Sequence, residues 1–137
     1  MNRFFVLVFV FLFTTLSCSN DDDTSSDPDV NIPDLSGSWN MVNVTGGFVG
    51  INHDFSNGII IWNFNETNKT ITITNNNTDD SVEDLLPTGT YDYSLVSIQG
   101  NQELILDGVN RGNFEVTASE LIIEQQIRDG FRYTFRR

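Results

Sequence analysis

Residues 59–75, IIIWNFNETNKTITITN, decide the fold class of this chain. Isoleucines and aromatic residues alternate with Asn and Thr on both sides of the polar tetrapeptide at residues 66–69. A period of two residues is typical of a β-strand with one buried face, and a polar tetrapeptide between two such runs is typical of a hairpin turn. The stretch therefore predicts two antiparallel strands, at residues 59–65 and 70–75.

The same alternation recurs on either side of this hairpin. Six further strands are predicted at residues 38–45, 90–98, 103–106, 113–117, 120–127 and 131–136. Most connections between them are short and contain Gly, Asn, Asp or Ser, which favours antiparallel neighbours in a meander. No long stretch shows the spacing of a helix, so the predicted fold class is all-β.

Each predicted strand has one apolar and one mostly polar face. About eight such strands close most simply into an antiparallel up-and-down β-barrel, because closure leaves no unpaired edge. A small β-sandwich built from the same strands is the alternative. The aromatic side chains on the apolar faces are predicted to point inward: Trp62, Phe64, Tyr91, Tyr93, Phe114, Phe131, Tyr133 and Phe135.

Two longer connections interrupt the alternation. Residues 46–58 contain four glycines, too many for a helix, and are predicted to form a mobile flap. Residues 76–87 are polar and acidic. Within them a short helical turn is predicted at residues 80–86, capped by Asp80 or Ser81 and ended by Pro87.

Composition excludes several classes of function. The chain has 137 residues, with 19 acids against 7 bases and a formal net charge of -12. This size fits a single domain, and so acidic a chain lacks the clustered bases that a nucleic-acid partner requires. A single cysteine excludes a disulfide framework and a cysteine-based zinc site, and the acidic loop near residue 80 departs from calcium-loop spacing. We expect neither a metal nor a cofactor.

The N-terminal region has the parts of a secretory signal. A basic start at Arg3 precedes an apolar run at residues 4–13 and small residues up to Cys18. This run is about half the length needed to cross a bilayer, so residues 1–17 are predicted to be a signal peptide. Residues 19–34 carry six acids and no base. We therefore expect residues 18–35 to form a disordered tether and residues 36–137 the folded domain.

The residues around the cysteine resemble two known signals. Leu16-Ser17-Cys18 resembles the lipobox of bacterial lipoproteins, with Thr15 where leucine is usual. The resemblance implies that Cys18 carries lipid, including palmitate, and anchors the chain in a membrane. The acidic cluster that follows, Asp21-Asp22-Asp23, resembles the surface-export signal of lipoproteins from Bacteroidetes. It implies an outer-membrane location with the domain exposed at the cell surface.

The folded part resembles the lipocalin-like domains of short Bacteroidetes lipoproteins. The likeness rests on Gly37-Ser38-Trp39, similar to the Gly-x-Trp motif of lipocalins, and on the middle strand at residues 89–93. In lipocalins this tryptophan closes one barrel end beneath an arginine from near the C-terminus. The resemblance implies that role for Trp39, with Arg132, Arg136 and Arg137 as candidates for the arginine. Of these, we expect Arg136 to be the structural partner.

No catalytic constellation accompanies this fold. His53 is the only histidine, and its neighbour Asp54 makes a general base conceivable, but no serine nucleophile motif is present. A hydrolase that uses surface carboxylates is the least supported function, and we expect a non-enzymatic protein. Two binding functions remain open.

The first is a binding module for a small apolar or amphiphilic molecule, gated by the flap at residues 46–58. Its ligand-binding residues would be the inward aromatics Trp62, Phe64, Tyr91, Tyr93, Phe114, Phe131 and Tyr133. The alternative, which we favour for the interior, is that the same large rings fill the barrel as a packed core, because they leave little void. In that case the second function applies, a protein-interaction accessory of an outer-membrane complex, with Ile59, Ile61 and Ile122 as candidates for an outer apolar patch.

Overall fold

The computed structural model describes residues 33–125 and 129–137. These residues form nine β-strands and no helix. In chain order the strands are β1 (Gly37–Gly46), β2 (Ile51–Asp54), β3 (Ile60–Asn65), β4 (Thr70–Asn75), β5 (Gly89–Ile98), β6 (Asn101–Leu106), β7 (Val109–Val116), β8 (Glu120–Glu124) and β9 (Phe131–Arg136). No described segment is a helix long and apolar enough to cross a bilayer.

Eight of the nine strands form a closed antiparallel barrel. β1 pairs with β3, each later strand pairs with the next along the chain, and β9 returns to pair with β1. The closing register runs from Asn40↔Arg136 to Gly46↔Phe131. The predicted all-β up-and-down barrel is thus confirmed, and the pairing of β1 with β9 excludes the sandwich.

The ninth strand, β2, replaces part of the predicted flap. It pairs with the second half of β1, from Asn43↔Asp54 to Gly46↔Ile51, whereas β3 pairs with the first half. β2 and β3 therefore follow one another along the same side of β1, and the buried Phe55 lies between them. The prediction of a flap over residues 46–58 is corrected in part, because residues 51–54 are paired in the sheet and Phe55 is buried.

The core is a set of rows that run around the inside of the barrel. In one row Phe114 pairs with Ile123, Ile123 with Tyr133 and Tyr133 with Val44. All four are buried. Paired residues share a face of a sheet, so the alternation of each strand brings all apolar faces together inside the closed barrel. Among the described residues, every buried side chain is hydrophobic.

The two ends of the barrel differ. The Trp39 end holds the start of β1, the turns after β3, β5 and β7, and the C-terminus. The other end, which we name the mouth, holds the β1–β2 hairpin, the connections at residues 76–88 and 107–108, and residues 125, 129 and 130. Gly37 opens β1 at the Trp39 end with a φ of 103°.

The connection at residues 76–88 crosses the mouth without a helix. The predicted helical turn at residues 80–86 is wrong, because these residues form only turns and bends, and the φ of Leu85 is 68°, outside the helical region. The apolar side chains of the segment point toward the barrel. Leu86 is buried, and Val82 and Leu85 pack against the core. The Asp79 side chain, rather than Asp80 or Ser81, holds the local turn by accepting a hydrogen bond from the Ser81 amide at 3.0 Å.

Candidate functional site

The aromatic side chains that were predicted to line a ligand cavity pack on one another. The ring centroids of Trp62 and Phe135 are 4.9 Å apart. The centroid of the Phe64 ring lies 5.4 Å from that of Tyr93 and 6.4 Å from that of Phe114. These separations are typical of aromatic pairs in protein cores. Trp62, Phe64, Tyr93, Phe114 and Tyr133 are all buried. In this part of the barrel, rings occupy the space that a deep ligand would need.

The two remaining predicted lining residues sit nearer the mouth and are half-buried. Tyr91 donates a hydrogen bond from its hydroxyl to the carbonyl oxygen of Pro87 at 2.9 Å. Phe131 lies against Gly47, where an added Cβ would approach the ring to 2.8 Å. Both rings therefore support the connections that surround the mouth.

Trp39 closes its end of the barrel, with Arg137 above it. The indole Nε1 donates to the carbonyl of Leu35 at 3.0 Å, and the Arg137 guanidinium lies 4.2 Å from the ring centroid. The choice of Arg136 as this partner is corrected: Arg136 instead pairs with Glu120 at 3.2 Å. Arg136 follows the inward Phe135 within β9, so strand alternation turns it outward, whereas Arg137 lies beyond the strand and can fold over the end.

A hydrogen bond joins the connection at residues 76–88 to the barrel. The Tyr133 hydroxyl donates to Oε1 of Glu83 at 3.2 Å, across 50 positions of sequence. Burial raises the pKa of Tyr133, and the negative charges of Glu83 and Asp84 raise it further, while Arg111 lowers it. The sequence did not predict the proximity of Glu83 and Arg111 to Tyr133, because nothing local to either residue indicates it.

An apolar groove lies at the mouth, with a volume of about 300 Å³. Asp80 and Glu83 form its polar rim. Phe48 and Val49 form the tip of the β1–β2 hairpin and are 89% and 82% exposed. The apolar side chains that line this mouth groove are Phe48, Val49, Ile51, Val82 and Phe131.

A second recess, of about 320 Å³, lies toward the Trp39 end. Apolar side chains of Leu35 and Leu95 and the charged groups of Glu66 and Lys69 line this Tyr93 recess. The Tyr93 hydroxyl is buried and has no hydrogen-bond partner among the described residues. Burial, together with the charge of Glu66, raises the pKa of Tyr93. Lys69 Nζ lies 5.7 Å from the ring centroid.

The outer face carries less exposed apolar surface than the sequence suggested. Ile59 packs against the core, and Ile61 and Ile122 are half-buried beside their strand neighbours. The large hydrophobic residues that are exposed in the described chain lie instead at the two ends of the barrel: Phe48, Val49, Ile98 and Val109.

His53 and Asp54 do not form a catalytic pair. They are adjacent in β2, so their side chains point to opposite faces of the sheet. The His53 ring packs on Phe55, with centroids 4.8 Å apart, and the Asp54 carboxylate accepts a hydrogen bond from Asn43 at 2.7 Å. Across residues 33–125 and 129–137, no three His, Cys, Asp or Glu side chains cluster as a metal site would require.

Cys18 and the predicted signal peptide lie outside the described residues, as does most of the predicted tether. No protein-family model matches the chain, and neither a curated protein nor a solved structure matches it.

Proposed function

We propose that this chain is a membrane-anchored extracytoplasmic lipoprotein whose lipocalin-like barrel is a non-catalytic binding module for a small apolar or amphiphilic molecule. The molecule binds in the mouth groove rather than deep in the barrel. The observation that carries the proposal is the near-complete exposure of Phe48 and Val49 beside an apolar groove.

Exposed side chains of this size favour a bound state that covers them. Full burial of a Val or Phe side chain contributes about 1.5–3 kcal/mol relative to exposure. The groove holds the apolar part of a ligand between Ile51, Val82 and Phe131. Because Asp80 and Glu83 rim the groove, a neutral or cationic head group is favoured over an anionic one.

The membrane anchor in this proposal is the predicted lipid on Cys18. The acidic residues that follow it form a spacer between the lipid and the barrel. Such an anchor concentrates the binding module at the outer membrane, where amphiphilic molecules are abundant.

Fluorescence of N-phenyl-1-naphthylamine, a neutral apolar dye, tests binding to the purified protein in detergent-free buffer. We expect saturable enhancement that dodecylamine displaces and that Phe48→Ser weakens at least tenfold. Ile98→Ser is the matched control, because Ile98 is also exposed but lies at the Trp39 end. Absence of saturable binding, or equal loss in both variants, would contradict the proposal.

A second candidate function is a protein-interaction accessory of an outer-membrane complex. The packed rings of Trp62, Phe64 and Phe135 favour it, because an accessory subunit needs no ligand cavity. Cross-linking in cells is the test. If no partner is captured with the anchored protein, this function is excluded.

A further inference from the structure

The β5 strand is paired along only part of its length on the side of β4. The register between β4 and β5 ends at Thr70↔Asp92, and one further bond runs from the Tyr93 amide to the Lys69 carbonyl at 2.8 Å. Beyond this point, within the described part of the chain, residues 94–98 pair with β6 alone. We call this segment the β5 edge.

The geometry of the β5–β6 hairpin shows which backbone groups face outward from the edge. Its turn consists of Gln99 and Gly100, with φ values of 52° and 87°, as in a type I′ turn. Ile98 and Asn101 flank this turn and form a hydrogen-bonded pair, and hydrogen-bonded pairs alternate with non-bonded pairs along an antiparallel ladder. The amide and carbonyl groups of Leu95 and Ser97 therefore point away from β6.

The β5 edge lacks the features that block strand addition. Residues 94–98, SLVSI, contain no proline, glycine or charge. Two of the five are β-branched, and Ile98 is 41% exposed. Natural sheet edges are usually protected by charged residues, proline or a bulge. An edge without them is a template for another strand.

The Tyr93 recess opens at the start of this edge and is suited to a basic side chain. Leu35 and Leu95 offer an apolar wall for the methylene stem of a lysine or arginine. The Glu66 carboxylate supplies the opposite charge. Lys69 also lines the recess, so its exposed side chain must leave the Tyr93 ring when a basic group enters.

The negative charge around the β5 edge favours a basic partner. The chain has a formal net charge of -12, and Asp92 and Glu103 flank the β5 edge in addition to Glu66. A second copy of the chain would bring like charges together, whereas a basic segment is complementary to this surface.

We propose that the β5 edge binds an extended segment of a basic polypeptide by strand addition, with one lysine or arginine side chain in the Tyr93 recess. This inference rests on the second proposed function and names the surface and the partner chemistry for it. The backbone groups of Leu95 and Ser97 bind the added strand, and Glu66 selects its charge.

The probe is the synthetic peptide acetyl-Lys-Val-Lys-Val-Lys-Val-amide, titrated into the full chain and followed by amide NMR shifts. Its comparison peptides carry Glu or Thr in place of Lys. We expect saturable binding of the Lys peptide, slower hydrogen exchange at Leu95 and Ser97, and no binding of the Glu peptide. Glu66→Gln should reduce the preference for the Lys peptide over the Thr peptide, leaving the part that Asp92, Glu103 and the net charge supply.

The edge itself is tested by Ser97→Pro, which removes an outward amide. Gln102→Pro is the matched control, because Gln102 lies opposite Ser97 on the other strand of the same hairpin. We expect at least a tenfold loss of peptide affinity for Ser97→Pro and less than a twofold loss for Gln102→Pro, each measured under conditions in which the variant is fully folded.

Three results would overturn the inference: no binding of the Lys peptide, equal losses in the two proline variants, or a wild-type dimer that Ser97→Pro dissociates. The third result would identify a second copy as the occupant. Failure of the broader function is distinguishable. If cellular cross-linking captures a partner equally well with Ser97→Pro, the accessory function stands and only the assignment of the surface is wrong.

Discussion

The Arg137 guanidinium lies 4.2 Å from the centroid of the Trp39 ring, where the first and last strands of the barrel meet. It also donates to the Asp34 carbonyl at 2.7 Å and to the Ala118 carbonyl at 2.9 Å. One side chain thus joins the segment before β1, the turn between β7 and β8, and the C-terminus. This arrangement makes Arg137 a clamp on the closed end.

Replacement of this arginine tests the clamp. We expect Arg137→Ala to lower the free energy of unfolding by about 1–2 kcal/mol, because it removes a cation–π contact and hydrogen bonds to two carbonyls. Arg136→Ala is the control and should cost no more than about 0.5 kcal/mol, since its ion pair with Glu120 is exposed. Urea unfolding measures both, and equal losses would refute the assignment.

The Tyr133–Glu83 hydrogen bond predicts a loss of stability in alkali. Because the pKa of Tyr133 is raised in the folded state, its contribution is complete below the unfolded tyrosine value of about 10 and falls as pH rises above it. Tyr133→Phe should cost about 1–2 kcal/mol at pH 8. It should also lose less stability than wild type between about pH 9 and 11. Urea unfolding across this range measures both effects, and parallel wild-type and variant curves would contradict them.

Gly112 should tolerate no side chain. Its φ is 114°, and an added Cβ would lie 2.3 Å from the Glu124 carbonyl oxygen, so Gly112→Ala must separate β7 from β8. Gly50→Ala is the control, because Gly50 also has a positive φ, 69°, but no atom within 4 Å of its Cβ position. We expect Gly50→Ala to lower the free energy of unfolding by about 1–2 kcal/mol, and Gly112→Ala to lower it by at least about 2 kcal/mol more. Thermal and urea unfolding measure both variants. Equal losses of stability would show that the approach of Gly112 to the Glu124 carbonyl is unimportant.

The proposed lipid anchor is tested by Cys18→Ala. If Cys18 is acylated, the wild-type protein partitions into the detergent phase on Triton X-114 separation, because several buried acyl methylenes each contribute about 0.8 kcal/mol. The variant should move to the aqueous phase and lose its acyl mass. Ser19→Ala is the control, since it leaves the cysteine intact. A wild-type protein already in the aqueous phase would show that no anchor exists.

Local alternation was sufficient to predict most strands and their inward faces. The strand at residues 70–75 and that at residues 131–136 were predicted with their observed bounds. Ile71, Ile73, Tyr133 and Phe135 face inward as expected. Successive side chains of a strand point to opposite faces, one toward the core and one toward solvent. The alternation is therefore visible in adjacent residues, and a strand can be predicted without knowledge of the fold.

β2 and the connection across the mouth could not be predicted in this way. β2 is only four residues long, INHD, and shows no clear alternation. Its place depends on the backbone of β1, which pairs with it. Leu85 and Leu86 likewise suggested a helix, but the core beneath them determines where they point. The predicted strand at residues 120–127 ends at Glu124, and residues 126–128 lie outside the described part of the chain.

Adjacent residues alone specify an all-β chain with one apolar face per strand, because the side chains of an extended backbone alternate every second position. Contacts between distant residues decide the rest: the closure of the barrel by β9 on β1, the stacking of Arg137 rather than Arg136 on Trp39, the hydrogen bond between Tyr133 and Glu83, and the end of β5 that other described residues pair on one side only. Each of these depends on strand register and on the tilt of strands around a barrel, which bring together residues that share no local pattern.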